Sequence, residues 1–321
     1  MTEQTGAIEA GRPLQARRSA GLWGDAFRRL LRNRLAIVGG ILVAFLLLVA
    51  VFGGFLTPWE YFNQDLAAVV ANNNRPLLPM QRIEGVDGLH VLGTDELGRD
   101  LLSRLMDGAR ISMSVALVVQ TVVLLLGIPM GAAAAWFGGR VDSILMRITD
   151  IVYAYPDLLF IILLGVAFRE TFFGRALDGL LLVFVAIGLT SWVTMARLVR
   201  GQLLSLKETE FVEAARAIGV SDRRIVTRHL LPNALGPIIV AVTLGIPAAI
   251  LAEATLAFIG IGVQAPRASW GSLVADGQSY IRSFPHLVLF PAIAIAVALI
   301  SFTFLGDGLR DALDPKLKGK Q

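Results

Sequence analysis

TEFVEAARAIGVSDRRIVTRHLLPNALGP, residues 209–237, is a polar stretch set between two long apolar runs. Phe211, Ala214, Ala215 and Ile218 recur at helical spacing and form one apolar side of a short helix. The adjacent alanines keep that side shallow, so that another surface can approach closely. Gly219 follows where the helix would end and supplies a left-handed turn. Ser221 is placed to cap a second helix, with Ile225, Leu230 and Leu231 apolar and Arg223, Arg224 and Arg228 exposed. Pro232 is expected to end it. The pattern is helix, glycine turn, helix, anchored at both ends in apolar chain. Such a unit can transmit force if a partner grips it.

Outward from this stretch the apolar runs have bilayer length. Residues 35–57 form the first. As a helix they reach roughly 34 Å, enough for a hydrocarbon core of about 30 Å. Five more follow, at about 112–137, 143–167, 179–199, 234–260 and 288–305. The chain is 55% hydrophobic and 17% charged, against about 25% charged for soluble domains, which fits a surface facing lipid. The expected fold is therefore an all-α integral membrane protein with six transmembrane helices. The first run is too long for a cleaved leader and reads as an uncleaved anchor. Of the 29 Lys and Arg residues, 20 fall on the side that holds both termini and the 209–232 loop, which places that side in the cytoplasm. The same distribution argues against nucleic-acid binding despite the basic pI. The chain has no cysteine, and His90, His229 and His286 are far apart, so no metal or cofactor is expected.

The chain divides into a cytoplasmic tail (1–34), the first span (35–57), an external loop with an interfacial helix (58–111), a five-helix core (112–305) and a cytoplasmic tail (306–321). In the first tail Trp23, Phe27, Leu30 and Leu31 oppose Arg28, Arg29, Arg32 and Arg34, as in a helix on the inner membrane face or in a solvated tail. The segment 99–111, with Leu101, Leu102, Leu105, Met106 and Ala109 on one face and an expected Asp100–Arg104 pair, reads as an interfacial helix leading into the second span or as a helix packed on the loop instead of lipid. Arg147 and Asp150 are expected to pair likewise. Glu253 sits well inside the fifth apolar run and reads either as a gate or pathway residue or as a packing hydrogen bond. Arg267, Ser269, Trp270 and Asp276 precede the last run and read as an external contact surface, with Trp270 alternatively an interface anchor.

The 209–237 stretch closely resembles the EAA loop of bacterial ATP-binding-cassette importer permeases. Glu213, Ala214, Ala215, Gly219, Leu231 and Pro232 match that pattern in register, with His229 in place of its isoleucine. Further stretches resemble the C-type subunits of oligopeptide and dipeptide transporters: HVLGTDELGRDLLSRLMDGARIS (90–112), GGRVDSILMRITDIVYAYP (138–156), LAEATLAFIGIGVQAPRASWGSLV (251–274) and LGDGLRDALDPKL (305–317). Thr303 departs from that pattern, where such subunits often carry Asn. The resemblance implies the type I importer permease fold in a bacterial inner membrane. It implies uptake of short peptides, with nickel, glutathione or another small solute as the alternative within the branch. It also implies four partners besides membrane lipid: a sister permease, two ATPase subunits that receive the 209–232 loop, and an external solute-binding protein.

No Gly-x4-Gly-Lys-Ser/Thr stretch occurs, so ATP is expected to be hydrolysed by another chain and this one to be no enzyme. An ion-coupled secondary transporter would use Glu253 and Asp150 as coupling carboxylates, but it has no need of the loop from Glu213 to Pro232. An intramembrane protease would need a nucleophile and base, or paired metal ligands, at membrane depth. No histidine lies well inside an apolar run, and no His-Glu-x-x-His occurs.

Overall fold

Short polar caps and glycine or proline breaks set the helix boundaries. The computed structural model describes residues 22–83 and 88–314, so most of the first tail and the last seven residues of the second lie outside the described residues. Helix α1 (Leu22–Leu30) leads into α2 (Arg34–Phe52), whose first amides, on Leu35 and Ala36, donate to the Asn33 side chain. The segment between α2 and α4 contains α3 (Leu66–Ala71), a short helix where the sequence shows no helical period. Asp100 then caps α4 (Leu101–Phe137). Gly138 and Gly139, both at positive φ, turn the chain into α5 (Gly139–Ala154). Pro156 holds Tyr155 in extended backbone, and α6 (Asp157–Phe168) departs at 80° to α5. The short α7 (Phe172–Arg175) precedes α8 (Leu180–Lys207). Two small helices, α9 (Glu210–Ala217) and α10 (Asp222–Ile225), lead through a π-turn into α11 (Leu231–Phe258). Helices α12 (Trp270–Gly277) and α13 (His286–Leu313) complete the described chain.

Among the described residues five helices are long and apolar enough to cross a membrane, and the bent pair α5–α6 brings the number to six if it counts as one span. The segment 99–111 is not a separate interfacial helix. It forms the first turns of α4, and Leu101, Arg104 and Ala109 are buried against protein. The expected Asp100–Arg104 pair does not form, because Asp100 turns back to cap α4 and Arg104 reaches Asp95 and Asp276. Asp150 pairs with Arg197 of α8 at 2.8 Å instead of Arg147, and Asp142 takes Arg200 in a two-pronged bond of 2.6 Å per arm. Neighbours across a helix interface outcompete those along one helix here, because Arg197 and Arg200 lie on the α8 face that meets α5.

The most extensive seam joins α4 to α8. A Cβ at Gly127 would lie 2.7 Å from Met195, and one at Gly131 would collide with the Ala196 carbonyl. Small residues let the two backbones touch, which is how helices attract in lipid, where apolar side chains gain nothing by leaving the solvent. On the outer surface Ile41, Phe45, Leu48 and Val51 form an exposed apolar row along α2 suited to lipid contact.

Gly131→Leu should destabilise the detergent-solubilised chain by at least the roughly 1–3 kcal/mol of an overpacked core. Gly201→Leu, on α8 with open space around it, should leave the melting temperature unchanged. Equal melting temperatures for the two variants would remove the seam from this account.

Candidate functional site

The loop between α8 and α11 forms the helix–turn–helix read from its sequence, with a sharper turn and a different set of faces. Helix α9 ends in a complete left-handed cap. Gly219 has φ +76°, its N–H donates to the Arg216 carbonyl at 3.0 Å, and the Val220 N–H donates to the Ala215 carbonyl at 3.0 Å. Ser221 occupies the next cap position, but its hydroxyl makes no capping bond.

Pro232 does not end the second helix. The chain passes from α10 through a π-turn, in which the Leu231 N–H reaches back to the Val226 carbonyl, and enters α11 with Pro232 in its first turn. Proline at a helix start needs no N–H partner, and the Asn233 side chain donates to the His229 carbonyl at 2.6 Å. The loop is thereby continuous with the fifth span.

The apolar residues of α9 do not share one face. Ala215 is 5% exposed and packs inward with Val212, Leu203 and Ile225. Phe211, Glu213, Ala214 and Ile218 point out, and Ile218 is 80% exposed. Spacing alone puts Ala215 with Ala214 on an outer side. Val212, which that apolar pattern omits, is fully buried and turns the helix so that Ala215 faces in. The outward tip is therefore Phe211, Ala214 and Ile218 around the Gly219 turn, with Leu231 and Pro232 at its base.

Glu253 lies between α4 and α11 and is 1% exposed. It accepts from the Ser112 hydroxyl at 3.3 Å, and that hydroxyl also receives the Trp270 backbone N–H. The carboxylate thus joins three elements. Of the group expected to face outward before the last span, Ser269 and Trp270 are buried, Arg267 is half-buried and Asp276 is exposed. Trp270 donates its indole N–H to the Leu105 carbonyl at 3.0 Å, Ser269 caps α12, Arg267 pairs with Asp107 at 3.0 Å, and Asp276 pairs with Arg104. A small pocket of about 20 Å³ lies between α6, α8 and the end of α11, lined by Gly165, Gly179 and Gly260 with Arg169 and Gln264 as polar groups.

A buried polar clasp, missed from the sequence, holds the α2–α4 segment on α4. His90 Nδ1 is 2.9 Å from Asp100 and Nε2 is 3.3 Å from Asp65, and the ring stacks on Trp59. Burial lowers the affinity of His90 for its second proton, but hydrogen bonds and charge from Asp100 and Asp65 outweigh it and raise the pKa above 6.5. Only the doubly protonated ring can donate to both carboxylates. Its signal was the charge density of the 90–104 stretch, but the partner Asp65 lies 25 residues away from His90.

The chain matches the family described as "Binding-protein-dependent transport system inner membrane component" over residues 127–319 and "N-terminal TM domain of oligopeptide transport permease C" over residues 21–76. It is 40% identical to the oligopeptide transport system permease protein OppC of Bacillus subtilis, covering 94% of this chain and 92% of the relative. It is 43% identical to the protein of that name in Escherichia coli K12, over 92% and 91%. It is 44% identical to the dipeptide transport system permease protein DppC of B. subtilis, over 92% and 86%. Its fold is similar to a chain of the inward-facing MetNI methionine ABC transporter, with TM-score 0.54, 19% identity, and coverage of 66% of this chain and 96% of that one.

Because the folded-state pKa of His90 is raised, the clasp's contribution is complete below 6.5 and fades as pH rises through that higher folded value. Amide exchange in residues 72–83 should therefore be slower at about pH 6 than at about pH 9 after correction for intrinsic rates. His90→Gln should abolish the difference, and a wild-type difference that persists in this variant would contradict the clasp.

Proposed function

The chain belongs to the family of binding-protein-dependent transport system inner membrane components, and from that membership we propose that it is the permease subunit of an ATP-driven importer of short peptides. The supporting relatives are named oligopeptide and dipeptide permeases at 40–44% identity over most of both chains. Two ATPase subunits supply the energy, an external solute-binding protein delivers the peptide, and a sister permease completes the pathway. Both termini and the α8–α11 loop are cytoplasmic, where 20 of the 29 basic residues fall.

The single observation that carries the coupling role is the exposed tip of α9. Ile218 stands 80% exposed beside a left-handed turn, on a helix whose other face is locked into the core. A large apolar side chain held in that way on a rigid polar loop is the form of an interface anchor. Glu213, Ala214 and Gly219 shape the docking surface, Ala215 seats it on the core, and Leu231 and Pro232 join it to α11. Glu253 acts in packing, as the brace between α4 and α11. An ion-coupled carrier is disfavoured because Glu253 is sealed in protein and Asp150 is paired with Arg197.

Ile218→Asp should leave the melting temperature of the isolated permease unchanged. It should weaken retention of the ATPase subunits during co-purification by at least about tenfold, as for loss of an interface anchor. Ala215→Trp should instead lower the melting temperature, since that position is internal. Full retention by the Ile218→Asp complex would refute docking at this tip.

A further inference from the structure

The end of α4 meets the start and the middle of the coupling loop at one side chain, Trp136. Lys207 is the last residue of α8 and the only lysine among the described residues. Its ammonium donates to the carbonyl of Trp136 at 2.7 Å and to that of Ala135 at 3.2 Å, and it lies 5.3 Å from the centre of the Trp136 ring. Arg216, on the last turn of α9, places its guanidinium 5.4 Å from the same ring. Both distances are within reach of a cation–π attraction. The two carbonyls belong to the final turn of α4, which ends at Phe137, and a cation there also meets the negative end of the helix dipole.

We infer that Trp136, Lys207 and Arg216 form a clamp that makes the end of α4 move with α9, so that they are positioning residues for the transport step. This inference rests on the docking role proposed for α9. The geometry restrains the loop at two points nine residues apart, one before α9 and one near its end, and ties both to one residue of a different span. A displacement of α9 by the ATPase must then carry α4 with it or break the clamp. The ring is half-buried against the core that holds Val212 and Ala215, so the link is shielded from solvent on one side. Neighbouring Phe137 is 70% exposed and takes no part.

The test uses the complete transporter reconstituted in proteoliposomes with its binding protein and radiolabelled tri-alanine as probe. The reading is peptide transported per ATP hydrolysed, with retention of the ATPase subunits measured in parallel. Trp136→Leu should keep retention at the wild-type level and lower the transport ratio about tenfold, the equivalent of about 1.4 kcal/mol. Trp136→Phe keeps an aromatic face for both cations and should recover to within about twofold of wild type. Phe137→Leu should behave as wild type. Lys207→Met breaks one arm without touching the ring, and it should show a smaller fall in the same ratio; it decides the matter if Trp136→Leu does not insert. An unchanged ratio in the Leu and Met variants would overturn the clamp, as would a Phe variant no better than Leu or loss of ATPase retention in Trp136→Leu. Failure of the docking role itself would show separately, as full ATPase retention by Ile218→Asp. Failure of the peptide reading would show as no tri-alanine uptake by wild type.

Discussion

The close approach of α4 and α8 is the constraint on which the rest of the molecule depends. Gly127 and Gly131 remove the side chains that would hold the two backbones apart, and Met195, Ala196 and Val199 fill the space. In lipid such a seam is stabilised by dispersion and by the absence of wasted volume, not by release of water. Once it forms, the ends of both helices are fixed relative to each other. The α8 end gives rise to the exposed loop, and the α4 end receives Lys207 and Arg216. Helix α5 is then held on the same pair through the Asp142–Arg200 and Asp150–Arg197 contacts.

The polar groups follow from that arrangement. Buried charges are costly unless paired, and in this chain they gather where α4 begins. Asp95 takes both Arg99 and Arg104, Asp107 takes Arg267, and His90 bridges Asp65 and Asp100. This network fastens the α2–α4 segment and α12 to one end of α4. A cation–π and hydrogen-bond cluster occupies the other end. At 37 residues, α4 spans about 55 Å and, among the described residues, is the one helix that touches both clusters. Between them, Ser112 of α4 holds Glu253 of α11.

Much of this was legible in the sequence because the signals were local. Apolar length located the spans, and the lone Gly219 after a short helical pattern located the left-handed turn. What was not legible depended on partners far along the chain. Ala214 and Ala215 are chemically identical neighbours, and only the burial of Val212 decides which of them faces in. Pro232 looks like a terminator because the local rule has no knowledge of a π-turn that accommodates it. Opposite charges spaced along one helix were a poor guide as well: Asp100 serves as a cap, and Asp150 finds Arg197 on another helix. The Trp136 cluster joins residues about 70 to 80 positions apart, beyond the reach of any periodicity.

The central claim is that the tip of α9 meets the ATPase. It can be tested directly by placing a photoactivatable maleimide on a single cysteine in this cysteine-free chain. At Ile218→Cys, illumination of native membranes should yield a covalent adduct between the permease and an ATPase subunit. At Val70→Cys, a 70% exposed position on the external segment, it should yield none. Adducts from position 70 to the ATPase, or none from position 218 in membranes that transport normally, would contradict the account.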